Sequence, residues 1–189
     1  MATQKAAGIP ELTRYIVKEL KKGPTQQDSD EEGQCNTHET KQASFSQVSS
    51  IFRCFGNFIN FCLKRGKENQ TLLADIYQFG TVVINQNSVN FVPAHLMQAE
   101  THVYKSMPII TGEIKRSELA LGRISSVTQM SEKQTSQVLS LLSKAIGYYL
   151  TQEQVAVVID LQLTNNEALV MTPTSAGFLE KRKLRETNR

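Results

Sequence analysis

Tryptophan is absent from this chain of 189 residues, of which 40% are hydrophobic. A core can form from this composition, but it is not rich in large aromatic side chains. The three cysteines are an odd number without the spacing of a disulfide framework, which predicts a reduced, intracellular compartment. Residues 1–9 lack the apolar stretch of a secretory signal, and no run approaches the roughly 20 apolar residues of a membrane span. We therefore expect no contact with a membrane interior.

Patterns that carry catalysis or hold cofactors are equally scarce. Gly80 stands alone, so no glycine-rich phosphate loop follows a strand. Cys35 and His38 have the spacing of half a zinc site, but no second pair completes it. Cys54 and Cys62 lie in an apolar helical pattern without a neighbouring base, which favours buried, unreactive thiols. We therefore expect no enzyme activity, no cofactor and no metal site.

Two further pairs of polar residues admit a functional or a structural interpretation. His95 and His102 would share one helix face, which is typical of a solvated or partner-facing surface. Asp75 and Asp160 fall in or beside two predicted strands. They could be paired carboxylates, but surface acids at strand ends are the simpler interpretation because only the repeat described below relates them.

Charge is distributed unevenly although the net charge is only +3. Residues 24–43 are polar and acidic, and such a segment predicts a mobile loop in the absence of a partner. The C-terminal segment is basic, and its candidate partner-binding residues are Lys181, Arg182, Lys183 and Arg185. This tail could neutralise nucleic-acid phosphates, lie on an acidic protein surface such as a tubulin lattice, or remain solvated.

The most informative positive feature is a repeated pattern. Ser44 and Ser131 each precede an amphipathic helical pattern and are followed three residues later by a glutamine, which predicts a capping box. The two predicted helices cover 44–65 and 131–150. Each is followed by β-type residues, an asparagine-containing turn and a proline. The chain therefore resembles two copies of one supersecondary unit.

The individual elements predict an α+β class. In the first half we expect a helix after Pro10, the loop 24–43, the helix 44–65, strands at 71–77, 82–84 and 89–92, and a closing helix from Pro93. In the second half we expect a short helix at 114–124, the helix 131–150, a strand at 155–161, a turn at 165–166, a strand at 168–171 and a last segment from Pro173. The break at Met107-Pro108 predicts two units, 1–107 and 108–189.

Three motifs of the first half resemble the HU/IHF family, whose subunit is two helices, a small antiparallel sheet and a closing helix. The bend Phe79-Gly80-Thr81 is similar to the glycine bend of that family, and Val92-Pro93-Ala94 is similar to its entry into the last helix. The capped helix 44–65 is similar to its dimer-forming helix. The resemblance covers residues 9–104; in 112–180 only the position of Pro173 and the helix–strand spacing match.

One departure from this family bears directly on function. HU-type proteins hold DNA with long β-arms, whereas only four residues separate Ile84 from Val89, and the predicted hairpin at 165–166 is as short. A tandem pair of armless units resembles the variant found in eukaryotic ciliary and centrosomal proteins. The resemblance implies an intramolecular pseudo-dimer, packed through 44–65 and 131–150, that interacts with other proteins.

The expected setting is therefore cytoplasmic, in a ciliary or flagellar axoneme or another cytoskeletal assembly. The alternative is an HU-like architectural protein that binds DNA through the tail and a basic group on the first unit. That basic group consists of Arg53, Lys64, Arg65 and Lys67.

Overall fold

The computed structural model describes residues 6–22, 42–65, 70–85, 89–101, 107–110, 112–152, 155–158 and 161–163. These residues form a mixed α+β structure, as predicted. Its elements are β1 (Ala6–Ala7), α1 (Ile9–Lys21), α2 (Phe45–Arg65), β2 (Gln70–Ile76), β3 (Gly80–Ile84), β4 (Val89–Pro93), α3 (His95–Thr101), β5 (Glu113–Leu119), α4 (Leu121–Thr128), α5 (Glu132–Thr151), β6 (Val155–Val158) and β7 (Leu161–Leu163).

Both long helices begin at the predicted capping boxes. The backbone N–H of Gln47 donates to Ser44 Oγ at 3.2 Å, and the N–H of Ser44 donates to Gln47 Oε1 at 2.9 Å. The same two bonds join Ser131 and Gln134, at 3.2 and 3.0 Å. Each box satisfies N–H groups that a helix start leaves without a partner, so the sequence signal locates both starts correctly.

The first half contributes three antiparallel strands to a four-stranded open sheet of order β4-β3-β2-β5. The hairpin β3–β4 pairs Ile84 with Val89, so its connection is the four-residue link 85–88 and no long arm exists there. On β2, alternate residues Leu72, Ala74 and Ile76 belong to the hydrophobic core. The strands, the bend and the short hairpin predicted for this half are confirmed.

Gly80 makes the corner between β2 and β3 possible. Its φ is +147°, which side-chain-bearing residues rarely adopt. A Cβ atom at this position would lie 2.4 Å from the backbone oxygen of Val92. Phe79 beside it packs between Phe55 and Phe91, with ring centroids 5.0 Å apart in both pairs. The bend is therefore fixed by backbone conformation and by an aromatic stack at once.

The helix predicted at 114–124 is wrong in its first part. Glu113–Leu119 forms the edge strand β5, which pairs in parallel with β2, and the helix α4 starts only at Leu121. The apolar spacing of this segment fits a helix, but the backbone of β2 offers a row of hydrogen-bonding partners. Tertiary pairing thus overrides a local pattern of low specificity.

The strand predicted at 155–161 is also corrected. It is divided into β6 and β7, which pair in an antiparallel manner with Val158 opposite Leu161. The predicted turn at 165–166, the strand at 168–171 and the segment from Pro173 lie outside the described residues. So does nearly all of the predicted loop, residues 24–41.

The two halves exchange strands. β5 precedes the helices of the second half and pairs in parallel with β2 of the first half. Conversely, β1 precedes the helices of the first half and pairs in parallel with β6, with Ala6 opposite Val155, in a sheet of order β1-β6-β7. Each half therefore completes the other half's sheet.

Helix packing follows the same exchange. α1 contacts α5, α2 contacts α4, and α3 also packs on α5. The side-chain amide of Gln47 on α2 donates to the backbone oxygen of Gln129, directly after α4, at 3.0 Å. We predicted that the two units would pack through the helices 44–65 and 131–150. Instead, α2 has its main interhelical contacts with α1 and α4, and α5 has its main interhelical contacts with α3, α1 and α4. All five described helices and the four-stranded sheet contribute to one hydrophobic core.

Candidate functional site

A polar cluster lies on the face of the four-stranded sheet that points away from the core. Strand alternation places Asp75 of β2, Thr81 of β3, and Arg116 and Glu118 of β5 on this face. Asp75 is directly opposite both Thr81 and Glu118 in the strand register. Three strands from the two halves of the chain thus bring these groups together.

Asp75 is the centre of this cluster. Its Oδ1 accepts a hydrogen bond from the Thr81 hydroxyl at 2.5 Å, and its Oδ2 accepts one from Arg116 Nε. The bond to Asp75 raises the pKa of Arg116 above its ordinary value, and the charge of Asp75 adds to this effect. Because the Arg116 side chain is 65% exposed, the ion pair contributes at most about 1 kcal/mol to stability.

An open depression of about 540 Å³ lies at this cluster and is lined by Asp75, Arg116, Ser117 and Glu118. Its cation is already bound to Asp75, and the depression lacks a nucleophile paired with a base. Within the described ranges, no three His, Cys, Asp or Glu side chains converge as a metal site. The Arg116–Asp75 ion pair ties β5 of the second half to β2 of the first.

The cysteines within the described residues are buried, as the apolar pattern predicts. Cys54 and Cys62 are both free thiols in the core. Burial raises the pKa of both thiols, and this effect outweighs the opposing charge of Arg123 near Cys54 and the hydrogen bond of Ser117 to Cys62. Both thiols are thus held in the protonated, poorly nucleophilic form.

Three tyrosines lie at the contact between α1 and α5. The rings of Tyr15, Tyr148 and Tyr149 lie 5.2 to 6.3 Å apart, and the hydroxyl of Tyr149 donates to the backbone oxygen of Glu11 at 3.4 Å. Burial raises the pKa of Tyr15 and of Tyr149. This cluster joins the two halves.

The exposed face of α2 is the second candidate surface. Arg53, Asn57, Asn60 and Lys64 are exposed at helical spacing, and we call these four residues the α2 ridge. Phe61 lies beside the ridge with 46% of its surface exposed, and the Arg65 guanidinium lies over its ring, 4.7 Å from the centroid. This face of α2 is basic, amide-rich and partly aromatic.

The cations of this face have no acidic neighbours on their own helix. The 21 residues of α2 contain no aspartate or glutamate. Among the residues that the structure describes, neither the ridge cations nor Arg65 form an ion pair. By contrast, α1 pairs Arg14 with Glu11, and its C-cap Lys22 pairs with Glu19. With respect to the described residues, the α2 face is therefore a positively charged surface without ion pairs.

Several residues singled out in the sequence are placed, and others lie outside the described ranges. His95 is exposed on α3, as expected of a solvated or partner-facing surface, and Asp75 is bound within its sheet. Outside the described residues are Cys35, His38, Lys67, His102, Asp160 and the tail residues Lys181, Arg182, Lys183 and Arg185. The predictions made for the latter group stay predictions.

Sequence reasoning missed the role of β5 in the polar cluster. We predicted a helix there, and a helix gave no reason to place Arg116 or Glu118 beside Asp75. In the structure Arg116 contacts Asp75, from which it lies 41 positions away along the chain. The segment 113–119 alternates too weakly between polar and apolar residues for a strand to be recognised.

Comparison of the chain with protein-family models finds no match, and comparison with curated proteins finds no significant similarity. In the described part of the chain, none of the helices combines the length and apolar character needed to cross a membrane.

Proposed function

We propose that this chain is a non-enzymatic structural or interaction protein, built as two HU-like units that form a pseudo-dimer within one chain. The observation that carries the proposal is the reciprocal exchange of strands, in which β5 completes the sheet of β2 and β1 pairs with β6. A related exchange of helix contacts, α1 with α5 and α2 with α4, accompanies it. Such an arrangement supports two equivalent units related by a pseudo-two-fold axis.

The shared core of this arrangement suits a structural role. Strand exchange and the shared core connect the two halves, so surfaces on both halves can engage a partner together. The depression at Asp75 and Arg116 supports an internal ion pair rather than chemistry. The buried thiols of Cys54 and Cys62 are likewise unsuited to nucleophilic attack.

The proposed setting is a ciliary axoneme or another cytoskeletal assembly in the cytoplasm. It rests on the resemblance of the tandem, armless architecture to ciliary and centrosomal proteins. Support comes from the four-residue link between Ile84 and Val89, which removes the arm that a DNA-bending HU protein needs. The partner would be a protein of the assembly, such as the tubulin lattice, and the basic tail 181–189 would contribute to contact.

Co-sedimentation with polymerised microtubules and with axonemal fractions tests this proposal. We expect the purified chain to pellet with one of them in a concentration-dependent manner. A chain that stays in the supernatant as a monomer with both fractions would contradict the proposed setting.

The second candidate function is DNA binding, and the exposed cations of α2 favour it. Arg53, Lys64 and Arg65 are free of ion pairs with the described acids. A gel-shift titration with duplex DNA over a range of salt concentrations tests this candidate, because phosphate contacts cause a steep loss of affinity with rising salt. Absence of a shift at low salt would exclude this candidate.

A further inference from the structure

The α2 ridge has the composition of a recognition surface rather than of a solvated helix face. A solvated face normally intersperses charges of both signs, as α1 does with its two ion pairs. The ridge instead presents cations at its two ends, Arg53 and Lys64, and two amides, Asn57 and Asn60, between them. The side-chain amides of Asn57 and Asn60 are exposed to solvent on the same face.

The spacing of the ridge matches an extended peptide. Arg53 and Lys64 are eleven positions apart, which corresponds to about 16 Å along a helix axis. An extended chain covers about 16 Å with five residues. Each asparagine amide offers one donor group and one acceptor, which is what the N–H and C=O of an extended backbone require. The cations at the ends can then hold acidic side chains.

The neighbourhood of the ridge strengthens its positive end. Arg65 is held over the Phe61 ring, so its guanidinium is partly ordered before a ligand binds. Lys115 of β5 donates to the backbone oxygen of Arg65 at 2.8 Å, which adds a cation at the end of α2. The exposed edge of the Phe61 ring supplies apolar contact area next to these charges.

A peptide fits this surface better than a DNA duplex does. The ridge and Arg65 supply three cations, whereas duplex binding commonly uses about 6–10 phosphate contacts. The adjoining strand β5 also carries Glu113 on the same face as Lys115, and this carboxylate would repel a polyanion as wide as a duplex. A single extended segment can follow the ridge without crossing β5.

We propose that the α2 ridge binds an extended acidic peptide segment of a partner protein, with glutamate or aspartate side chains at Arg53 and at Lys64 and the peptide backbone on Asn57 and Asn60. The inference rests on the proposed interaction function and specifies its partner as an acidic protein segment.

Fluorescence anisotropy of the full chain with a labelled peptide tests the proposal. The probe is a glutamate-rich peptide of about eight residues, which is long enough to span the ridge in extended form. The reference probe carries glutamine in place of every glutamate. At about 50 mM salt, where screening is weak, we expect the glutamate peptide to bind at least about tenfold more tightly than the glutamine peptide.

Two variants with equal loss of charge make the test specific. Arg53→Gln/Lys64→Gln should weaken binding of the glutamate peptide about five- to thirtyfold, as expected from the loss of two charged contacts. The matched control, Lys133→Gln/Lys144→Gln, removes two exposed lysines that are also eleven positions apart, but on α5. We expect less than about a twofold effect from the control, because only long-range attraction is lost. Both variants should keep the wild-type melting temperature since all four residues are exposed.

A third variant tests the backbone contacts. Asn57→Ala/Asn60→Ala should weaken binding of the glutamate peptide severalfold while leaving the salt dependence of binding unchanged. A surface that acts by charge alone would not respond to this variant.

The outcomes that overturn the proposal are distinct. Equal affinity for the two peptides, or equal losses in the α2 and α5 variants, would exclude a specific acidic-peptide site. A duplex of about 20 base pairs that displaces the peptide, and whose binding is lost in Arg53→Gln/Lys64→Gln, would assign the ridge to nucleic acid instead. Pelleting with microtubules is measured separately, and its absence in the wild type contradicts only the proposed setting. The proposed peptide site on the α2 ridge is tested by the anisotropy data alone.

Discussion

Replacement of Gly80 by alanine is the most informative perturbation of this fold. The corner at Gly80 connects β2 to β3, and a Cβ atom there would lie 2.4 Å from the Val92 backbone oxygen and 2.8 Å from the Phe91 ring. Val92 belongs to the paired strand β4, so its oxygen cannot move away without breaking the ladder. Phe91 is fully buried and cannot rotate into free space.

Two costs add at this position. The backbone conformation, with φ of +147°, costs a residue with a side chain about 1–3 kcal/mol. The overlap with a well-packed core costs about another 1–3 kcal/mol. We therefore expect Gly80→Ala to lower the free energy of unfolding by about 3 kcal/mol or more, a large part of the stability of an ordinary domain.

Urea unfolding followed by far-UV circular dichroism measures this change, and the matched control is Gly122→Ala. A Cβ at Gly122, in α4, would meet only the flexible carboxylate of Glu132, at 3.0 Å. Because alanine favours a helix by about 1 kcal/mol over glycine, the control should be neutral or slightly stabilising. A loss below about 1 kcal/mol for Gly80→Ala would refute the reasoning, because both costs would then be relieved by relaxation.

Three further predictions follow from the described contacts. Alkylation of Cys54 and Cys62 at pH 8 should be at least about tenfold slower in the folded protein than in urea. Burial raises both pKa values, so the reactive thiolate fraction at this pH is smaller in the folded protein. Mass spectrometry of a variant without the third cysteine measures both rates, and equal rates would contradict the prediction. Gln78→Gly should raise the free energy of unfolding by about 1 kcal/mol, as measured by urea titration. Gln78 has a φ of 56°, and its buried Oε1 has no hydrogen-bond partner among the described residues. A loss of stability in this variant would argue against strain at Gln78. Fragments 1–107 and 108–189 should fold only when they are mixed, because each completes the other's sheet. Size-exclusion chromatography and circular dichroism measure this, and a fragment that folds alone would contradict the prediction.

Within the described residues, the two halves contribute different features to the fold. The first half supplies the aromatic stack of Phe55, Phe79 and Phe91 and three strands of the four-stranded sheet. The second half supplies β5 as an edge strand whose side chains are mostly exposed. Charged residues along this strand, among them Lys115 and Glu118, are typical of edges that are protected against pairing with other chains.

Part of the α2 surface could be anticipated from the sequence. The absence of acidic residues along α2 is visible in the sequence alone, and Arg53, Lys64 and Arg65 were singled out as a basic group. Only the tertiary structure places Phe61 under Arg65 and leaves Asn57 and Asn60 exposed between the cations. The pattern of a helix gives the face on which residues lie, but neighbouring elements decide whether that face is covered.

The sequence by itself determined the features that arise from contacts close along the chain. The capping boxes at Ser44 and Ser131, the corner at Gly80 and the short link between Ile84 and Val89 depend on a few adjacent residues, and all were predicted. Their physical origin is local: a hydroxyl within reach of a free N–H, or a φ that only glycine readily adopts.

Only the tertiary structure decided where β5 and the long helices go. The segment 113–119 has no strong preference of its own, and it becomes a strand because β2 presents unpaired N–H and C=O groups beside it. The partner of each long helix was likewise set by the shape of the shared core, since the apolar stripes of α2 and α5 fit several packing arrangements equally well. Pairings between residues far apart in the chain depend on what the rest of the molecule places next to them, and no local pattern encodes that.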